Sequence, residues 1–258
     1  LFNSESDITG LSTGFAELDN MTSGWQKSDL VIVAGRPSMG KTSFAMNMVE
    51  HAVLNQEKPV LVFSMEMPAN QLIIRMMSSL GKIDQRKIRS GNLSDDDWPR
   101  LSKAASRLKD RPLYIDDTPG ISPMELRNRI RQLAREHGNI GMIMVDYLQL
   151  MSGSVPTENR TNEITQISRE LKNIAREFHC PVLALSQLSR NVEQRPNKRP
   201  INSDLRESGA IEQDADVVVF IYRDEVYNEQ TTEKKGIAEI IIGKQRNGPI
   251  GTCELTFI

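Results

Sequence analysis

The chain has 258 residues, 38 % of them hydrophobic and 26 % charged, and its 32 Lys and Arg set against 34 Asp and Glu leave a formal net charge of −2. Ample Val, Ile and Leu near charge neutrality exclude intrinsic disorder, and the same balance excludes a protein that coats nucleic acid with general positive charge, so a polyanion would have to be met by a local patch. The longest apolar run near the end, residues 217–222, falls far short of the roughly 20 residues that a membrane-spanning helix needs.

The chain opens Leu1-Phe2-Asn3-Ser4-Glu5, without the basic stretch and apolar run of a signal peptide. It does not begin with Met, which predicts a piece of a longer protein. The length suits one large α/β domain or two small ones. Continuous apolar runs at 30–34, 60–63, 113–115, 142–145, 182–185 and 217–221 read as strands buried on both faces of a sheet. Helical patterns fill the gaps. Ser94 and Asp97 form a variant capping box that opens a helix over 98–108. Leu126, Ile130 and Leu133 make one apolar stripe, and Ile164, Ile167, Leu171, Ile174 and Phe178 make another. This alternation predicts a mainly parallel, twisted sheet with right-handed crossovers and helices on its faces. The tail differs: 238–244 and 252–257 are strand-like, and Gln245-Arg246-Asn247-Gly248-Pro249 between them predicts an antiparallel hairpin with a turn of more than two residues. Residues 153–160 and 195–203 read as long loops, which inside a compact domain are usually functional or mobile.

Gly35-Arg36-Pro37-Ser38-Met39-Gly40-Lys41-Thr42 fits G-x-x-x-x-G-K-[ST], after a strand and before a helix pattern over 43–54. Its glycines let the backbone curl so that several N–H groups face one phosphate, and the helix N-terminus adds its dipole. Lys41 is a point charge for the β- and γ-phosphates of ATP, and the Thr42 hydroxyl is a ligand for Mg²⁺. Three later strand ends carry what hydrolysis requires. Asp146 ends an apolar strand as a carboxylate for Mg²⁺ and its waters. Glu66 follows another as a candidate base for the attacking water. Gln187 ends a third as a neutral amide suited to sensing a γ-phosphate. Each alone also reads as a strand-end polar residue meeting solvent. Together they fall where open α/β sheets bind ligands, at the carboxyl ends of the strands.

Longer stretches resemble one family. They are the phosphate loop, Phe63-Ser64-Met65-Glu66-Met67-Pro68, Val145-Asp146-Tyr147-Leu148-Gln149-Leu150, Ala184-Leu185-Ser186-Gln187-Leu188-Ser189-Arg190, Asp204-Leu205-Arg206-Glu207-Ser208-Gly209-Ala210-Ile211-Glu212-Gln213-Asp214-Ala215-Asp216, and Lys244-Gln245-Arg246-Asn247-Gly248-Pro249. The chain resembles the C-terminal motor domain of the bacterial replicative DNA helicase, the hexameric DnaB-type family. The resemblance implies an α/β fold with a RecA-like P-loop NTPase core over residues 9–258, with 1–8 a remnant of the linker and the N-terminal collar absent. It implies an ATP- and Mg²⁺-dependent homo-hexamer that encircles single-stranded DNA, moves 5′ to 3′ and unwinds duplex at the fork, in the bacterial cytoplasm and at the nucleoid during replication. A helicase loader, a primase bound through the collar and an initiator protein are the implied partners.

In residue terms, the resemblance implies that Gly35, Ser38, Gly40, Lys41, Thr42 and Ser43 hold the nucleotide, with Arg75 a polar member of the site. Glu66 activates water, Thr42 and Asp146 serve Mg²⁺, and Gln187 couples the γ-phosphate to DNA. Lys244 and Arg246 resemble fingers that reach a neighbouring subunit's nucleotide; from the residues alone they also read as a solvated hairpin tip. The DNA contact falls on Arg206, Glu207 and Gly209. Five basic against two acidic residues give 190–206 a net charge of +3, with no aromatic residue for base stacking, which suits backbone contact without sequence preference.

Other features point away from special chemistry. His51, His137 and His179 lack metal spacing, and Cys180 and Cys253 predict no disulfide framework and a reducing compartment. The 12 Met residues read as core filler. Arg127, Arg131 and Arg135 form a basic stripe that is either a solvated helix face or a subunit contact. Two other classes share the phosphate loop. A RecA-like recombination or repair ATPase would lack the 206–209 and 244–246 stretches, and a P-loop small-molecule kinase would need a basic lid and be indifferent to DNA.

Overall fold

The computed structural model describes residues 8–153, 159–205 and 209–257. In chain order the elements are α1 (Ala16–Thr22), β1 (Leu30–Gly35), α2 (Lys41–Asn55), β2 (Val60–Ser64), α3 (Ala69–Gly81), α4 (Gln85–Ser90), α5 (Asp97–Leu108), β3 (Leu113–Asp116), α6 (Pro123–His137), β4 (Met142–Asp146), α7 (Arg160–Phe178), β5 (Val182–Gln187), α8 (Gly209–Asp214), β6 (Val217–Tyr222), β7 (Ile237–Gln245) and β8 (Gly251–Thr256). Among the described residues they build one eight-stranded sheet, ordered β3-β2-β4-β5-β1-β6-β7-β8. The pairings from β3 to β6 are all parallel, and β7 and β8 close the edge as the antiparallel hairpin read from the tail.

The apolar runs alternate between two cores because successive residues of a strand point to opposite faces. Leu30 and Ile32 pack with Leu126 and Ile130 of α6 and with Ile164, Ile167, Leu171 and Ile174 of α7. Val31 and Val33 pack with Phe44, Met48, Val49 and Val53 of α2 and with Leu72 and Met76 of α3. Each fully buried Leu or Ile contributes about 1.5–3 kcal/mol, which holds the central strands rigid under the loops that they carry.

Helix starts follow local chemistry. Ser122 and Glu125 form a capping box at α6, with Pro123 in its first turn. At α5 only the carboxylate half of the expected box forms: Asp97 accepts from the Ser94 N–H (3.0 Å) and hydroxyl (2.8 Å), so Ser94 donates instead of capping. Two residues of the basic stripe of α6 reach α7, while Arg135 is exposed. Arg127 pairs with Glu170 at 2.6 Å and Arg131 with Glu177 at 2.6 Å, so these two residues fasten helix to helix. Cys180 and Cys253 are free and buried, and burial raises both thiols, Cys180 to about 12 and Cys253 to about 11.

The foot of the sheet, at the amino end of β1, is held by a buried carboxylate. Asp216 accepts from the Leu30 N–H (2.8 Å) and the Lys172 ammonium (2.5 Å). Beside it, partial burial first and the Asp216 charge second push Asp29 up to about 6, against weaker pulls from Lys172 and Arg246. A carboxyl raised in the folded state is stabilising only while protonated, so this site loses stability as pH rises from about 4 through 6. Asp29→Asn is therefore expected to raise the melting temperature over the native chain at pH 7.5, with a smaller gain at pH 4.5. Melting curves at the two pH values check it; equal gains would contradict it.

Candidate nucleotide-binding site

The strand order brings the carboxyl ends of β2, β4, β5 and β1 side by side. Gly35 lies opposite Gln187, and Ser64 lies opposite Asp146. Residues separated by as many as 152 positions thus meet around the loop that follows β1. That loop needs unusual backbone: Gly40 sits at φ +94° as the N-cap of α2, and a Cβ there would meet the Phe257 ring at 2.6 Å. Arg223 stacks on the same ring at 3.7 Å and donates to the Ser38 carbonyl at 3.2 Å. The end of β6 and the tail of the chain therefore brace the loop.

Within the site, the Thr42 hydroxyl donates to Asp146 Oδ2 at 2.9 Å. Asp146 is wholly buried, and among the described residues its Oδ1 has no hydrogen-bond partner. A buried, unpaired carboxylate oxygen is costly unless a cation or ordered water satisfies it. Burial is the main reason that Asp146 is pushed up to about 6; the Glu66 charge adds to it, while Thr42, Lys41 and Arg75 oppose it. Hydroxyl, buried carboxylate and an open oxygen suit a hard divalent cation shared with phosphate oxygens and water. Lys41 lies 5.5 Å from the Tyr147 ring centroid. Burial lowers its pKa, while Asp146 and Glu66 favour its charged form. Glu66 is exposed beyond the end of β2, within the field of both groups. Arg75 of α3 donates to the Ser43 hydroxyl at 3.1 Å, which places it in the site.

Two residues given no role from the sequence organise these strand ends. Gln149 donates to the Ser186 hydroxyl at 2.9 Å and accepts from the Gln187 N–H at 3.1 Å, tying the turn after β4 to the end of β5. Arg36 leaves the phosphate loop for the segment after β5. No local periodicity marks either residue, because their partners lie far off in sequence.

Lys244 and Arg246 sit elsewhere. The register pairs Lys244 with Val218 and Gln245 with Val217, at the foot of the sheet. The Arg246 N–H donates to the Asp216 carbonyl, and the Asp216 N–H donates to that of Leu30. Five residues of β1, about 16 Å of strand, separate that level from the phosphate loop. There the Lys244 ammonium donates to the carbonyls of Glu212 and of Ala215 (2.7 Å), and Arg246 donates to that of Gln213 at 2.5 Å, so both cap the C-terminal end of α8.

The basic segment after β5 is less positive than its sequence. Arg195 pairs with buried Asp204 at 2.6 Å, and Arg199 pairs with buried Glu239 at 2.8 Å. The 195–203 loop is thereby pinned to the core. Arg190 remains exposed. Gly209 opens α8, and among the described residues nothing lies within 4 Å of a Cβ placed on it. The candidate DNA contacts Arg206 and Glu207, and residues 154–158 of the loop at 153–160, lie outside the described residues.

Comparisons with known proteins agree with this fold. The family model for the DnaB-like helicase C terminal domain matches residues 10–258. The replicative DNA helicase DnaB of Haemophilus influenzae is 58 % identical over 254 residues, covering 98 % of this chain and 54 % of that protein. The replicative DNA helicase DnaC of Bacillus subtilis is 54 % identical over 259 residues, covering 100 % of this chain and 57 % of that protein. The chain thus spans about half the length of the curated relatives that it matches. A solved structure described as the ATPase domain of G40P has a TM-score of 0.95 at 43 % identity, covering 100 % of this chain and 91 % of that one. A DnaB-like replicative helicase, described with its interactions with primase, also has a TM-score of 0.95, at 42 % identity over 100 % of this chain and 62 % of that one. The fold is the RecA-like ATPase core.

Proposed function

The chain belongs to the DnaB-like helicase C-terminal domain family, and on that premise we propose that it is the ATP-driven motor of a replicative helicase, a homo-hexameric ring that moves 5′ to 3′ on single-stranded DNA. The observation that carries this reading is a division of labour within one chain. The phosphate loop, Asp146, Glu66 and Gln187 gather at one end of the sheet, while Lys244 and Arg246 stand at the other. They cannot serve the nucleotide of their own chain without crossing the sheet. A neighbouring copy in a ring can receive them. The recombination ATPase and the kinase have no comparable support, since the family match runs through both the 206–209 and 244–246 stretches.

The backbone amides at the start of α2 and the Lys41 ammonium receive the β- and γ-phosphates. Thr42 and Asp146 would hold Mg²⁺, which supplies charge neutralisation across those phosphates. Asp146 must be ionised for this, and a bound dication would favour its charged form against burial. Glu66 accepts a proton from the attacking water or orients it, and the cleaved γ-phosphoryl leaves ADP as product. Gln187, held through its backbone by Gln149, reports the γ-phosphate to the segment between β5 and α8. That segment and Gly209 contact the strand, Arg206 and Glu207 being assigned with them from the family pattern. Loader, primase and initiator are the partners that such a motor meets in the cytoplasm.

ATP turnover by this chain is expected to rise with added single-stranded oligonucleotide and to fall on dilution as subunits separate. Steady-state phosphate release across a concentration series checks both. Turnover indifferent to DNA and to dilution would sink the proposal. A forked-duplex assay with each tail polarity tests the direction.

A further inference from the structure

We infer that Arg36 is a positioning residue that locks the phosphate loop to residues 188–205, after β5, so that nucleotide binding and single-strand affinity change together. This rests on the reading above, in which that segment meets DNA.

The phosphate-loop pattern leaves position 36 free. Here a long cation fills it, only 10 % exposed along its side chain. Its Nη1 donates to the Leu188 carbonyl at 2.9 Å, and its Nε donates to Glu193 Oε1 at 2.9 Å. Leu188 is the residue after Gln187, and its own N–H donates to the Gly35 carbonyl at 3.4 Å. Glu193 stands in the short helical turn Arg190–Gln194. From there the chain returns on itself: Leu188 bridges Leu205 in antiparallel register, and the Ser189 N–H donates to the Asp204 carbonyl at 2.9 Å. One guanidinium therefore joins the loop that grips phosphate to Leu188 and Glu193, at the start of the 188–205 segment, and the end of that segment pairs back onto the same start.

The chemistry favours a lock over a phosphate ligand. Both contacts are charge-assisted, and the one to the Leu188 carbonyl is buried, which strengthens it; the Glu193 side chain is 43 % exposed. A planar guanidinium holds two acceptors in one fixed geometry, as an ammonium cannot. Glu193 already neutralises the charge. A shift of the phosphate loop on binding nucleotide would carry Leu188 and Glu193 with it.

Coupling of this kind is reciprocal and reads out at equilibrium. The test is the affinity of the chain for a labelled oligothymidylate, with and without a non-hydrolysable ATP analogue and Mg²⁺. The ratio of the two affinities is the measure. Arg36→Met is expected to cut the wild-type ratio by about tenfold. Arg36→Lys should fall between, reaching one acceptor only, and Glu193→Gln should lower the ratio less than Arg36→Met. The double variant Arg36→Met/Glu193→Gln should be no worse than Arg36→Met alone, as residues acting as a unit require. A merely structural role would lower the melting temperature and leave the ratio untouched. A wild-type ratio retained in both single variants overturns the inference. So does loss of nucleotide affinity in Arg36→Met with the Glu193→Gln ratio intact, which would make Arg36 a phosphate ligand. Should Arg36→Met fail to melt cooperatively, the ratio in Glu193→Gln decides. A wild-type ratio of one would instead strike the DNA-motor reading itself.

Discussion

Arg246→Ala is expected to lower ATP turnover by about 10³-fold or more, with nucleotide affinity nearly unchanged. A cation brought to the γ-phosphate stabilises charge that develops in the transition state, so its loss falls on turnover and not on ground-state binding. Arg246 is anchored beside Asp216 and α8 at the foot of the sheet, with a 3.4 Å ion pair to Asp216. About 16 Å of β1 lies between it and the phosphate loop of its own chain. Mixing gives the decisive form of the experiment. Arg246→Ala subunits keep an intact phosphate loop, and Lys41→Met subunits keep an intact Arg246. If Arg246 acts on a neighbour, the mixture regains turnover that neither variant has alone. A mixture as inactive as its parts, or lost nucleotide binding in Arg246→Ala, would place the residue in its own subunit's site or in folding. Binding by fluorescent ADP and phosphate release separate the cases.

Glu66→Gln is expected to lower turnover by about 10²- to 10⁴-fold, again with nucleotide bound normally. The amide keeps the size and the exposed position of Glu66 past β2 but cannot take a proton. The charge of the native Glu66 also acts on both Lys41 and Asp146. Removing it relieves the repulsion that helps to hold Asp146 high, so Asp146 ionises at lower pH in the variant. The pH profile of Mg²⁺-dependent nucleotide binding should therefore move down while turnover collapses. Turnover within a few-fold of wild type would exclude Glu66 as the base and leave the water to another group.

Several features were legible in the sequence because their determinants are local. The β-rich runs from 30–34 to 217–221 needed only their composition, and α7 needed only the spacing of Ile164, Ile167, Leu171 and Ile174. The phosphate loop is contiguous, so its spacing carries its chemistry directly. The hairpin of β7 and β8 followed from Asn247-Gly248 between two apolar runs. The charge of 190–206 misled in part for the complementary reason. Arg199 meets Glu239, 40 residues away, and a local tally of charge cannot see such a partner.

The sequence by itself determined which groups this protein has for handling phosphate: a turn of glycines, a lysine, a hydroxyl and three polar strand ends. Tertiary structure alone decided which of them meet. The order β2-β4-β5-β1 sets Ser64 beside Asp146 and Gln187 beside Gly35, and it sends Lys244 and Arg246 to the opposite end of the sheet. It also gave Arg36 its partners at Leu188 and Glu193, 152 and 157 residues along the chain. The physical reason is that strand order and side-chain pairing are settled by burying two core faces at once. That is a condition on the whole chain, and no window of residues contains it.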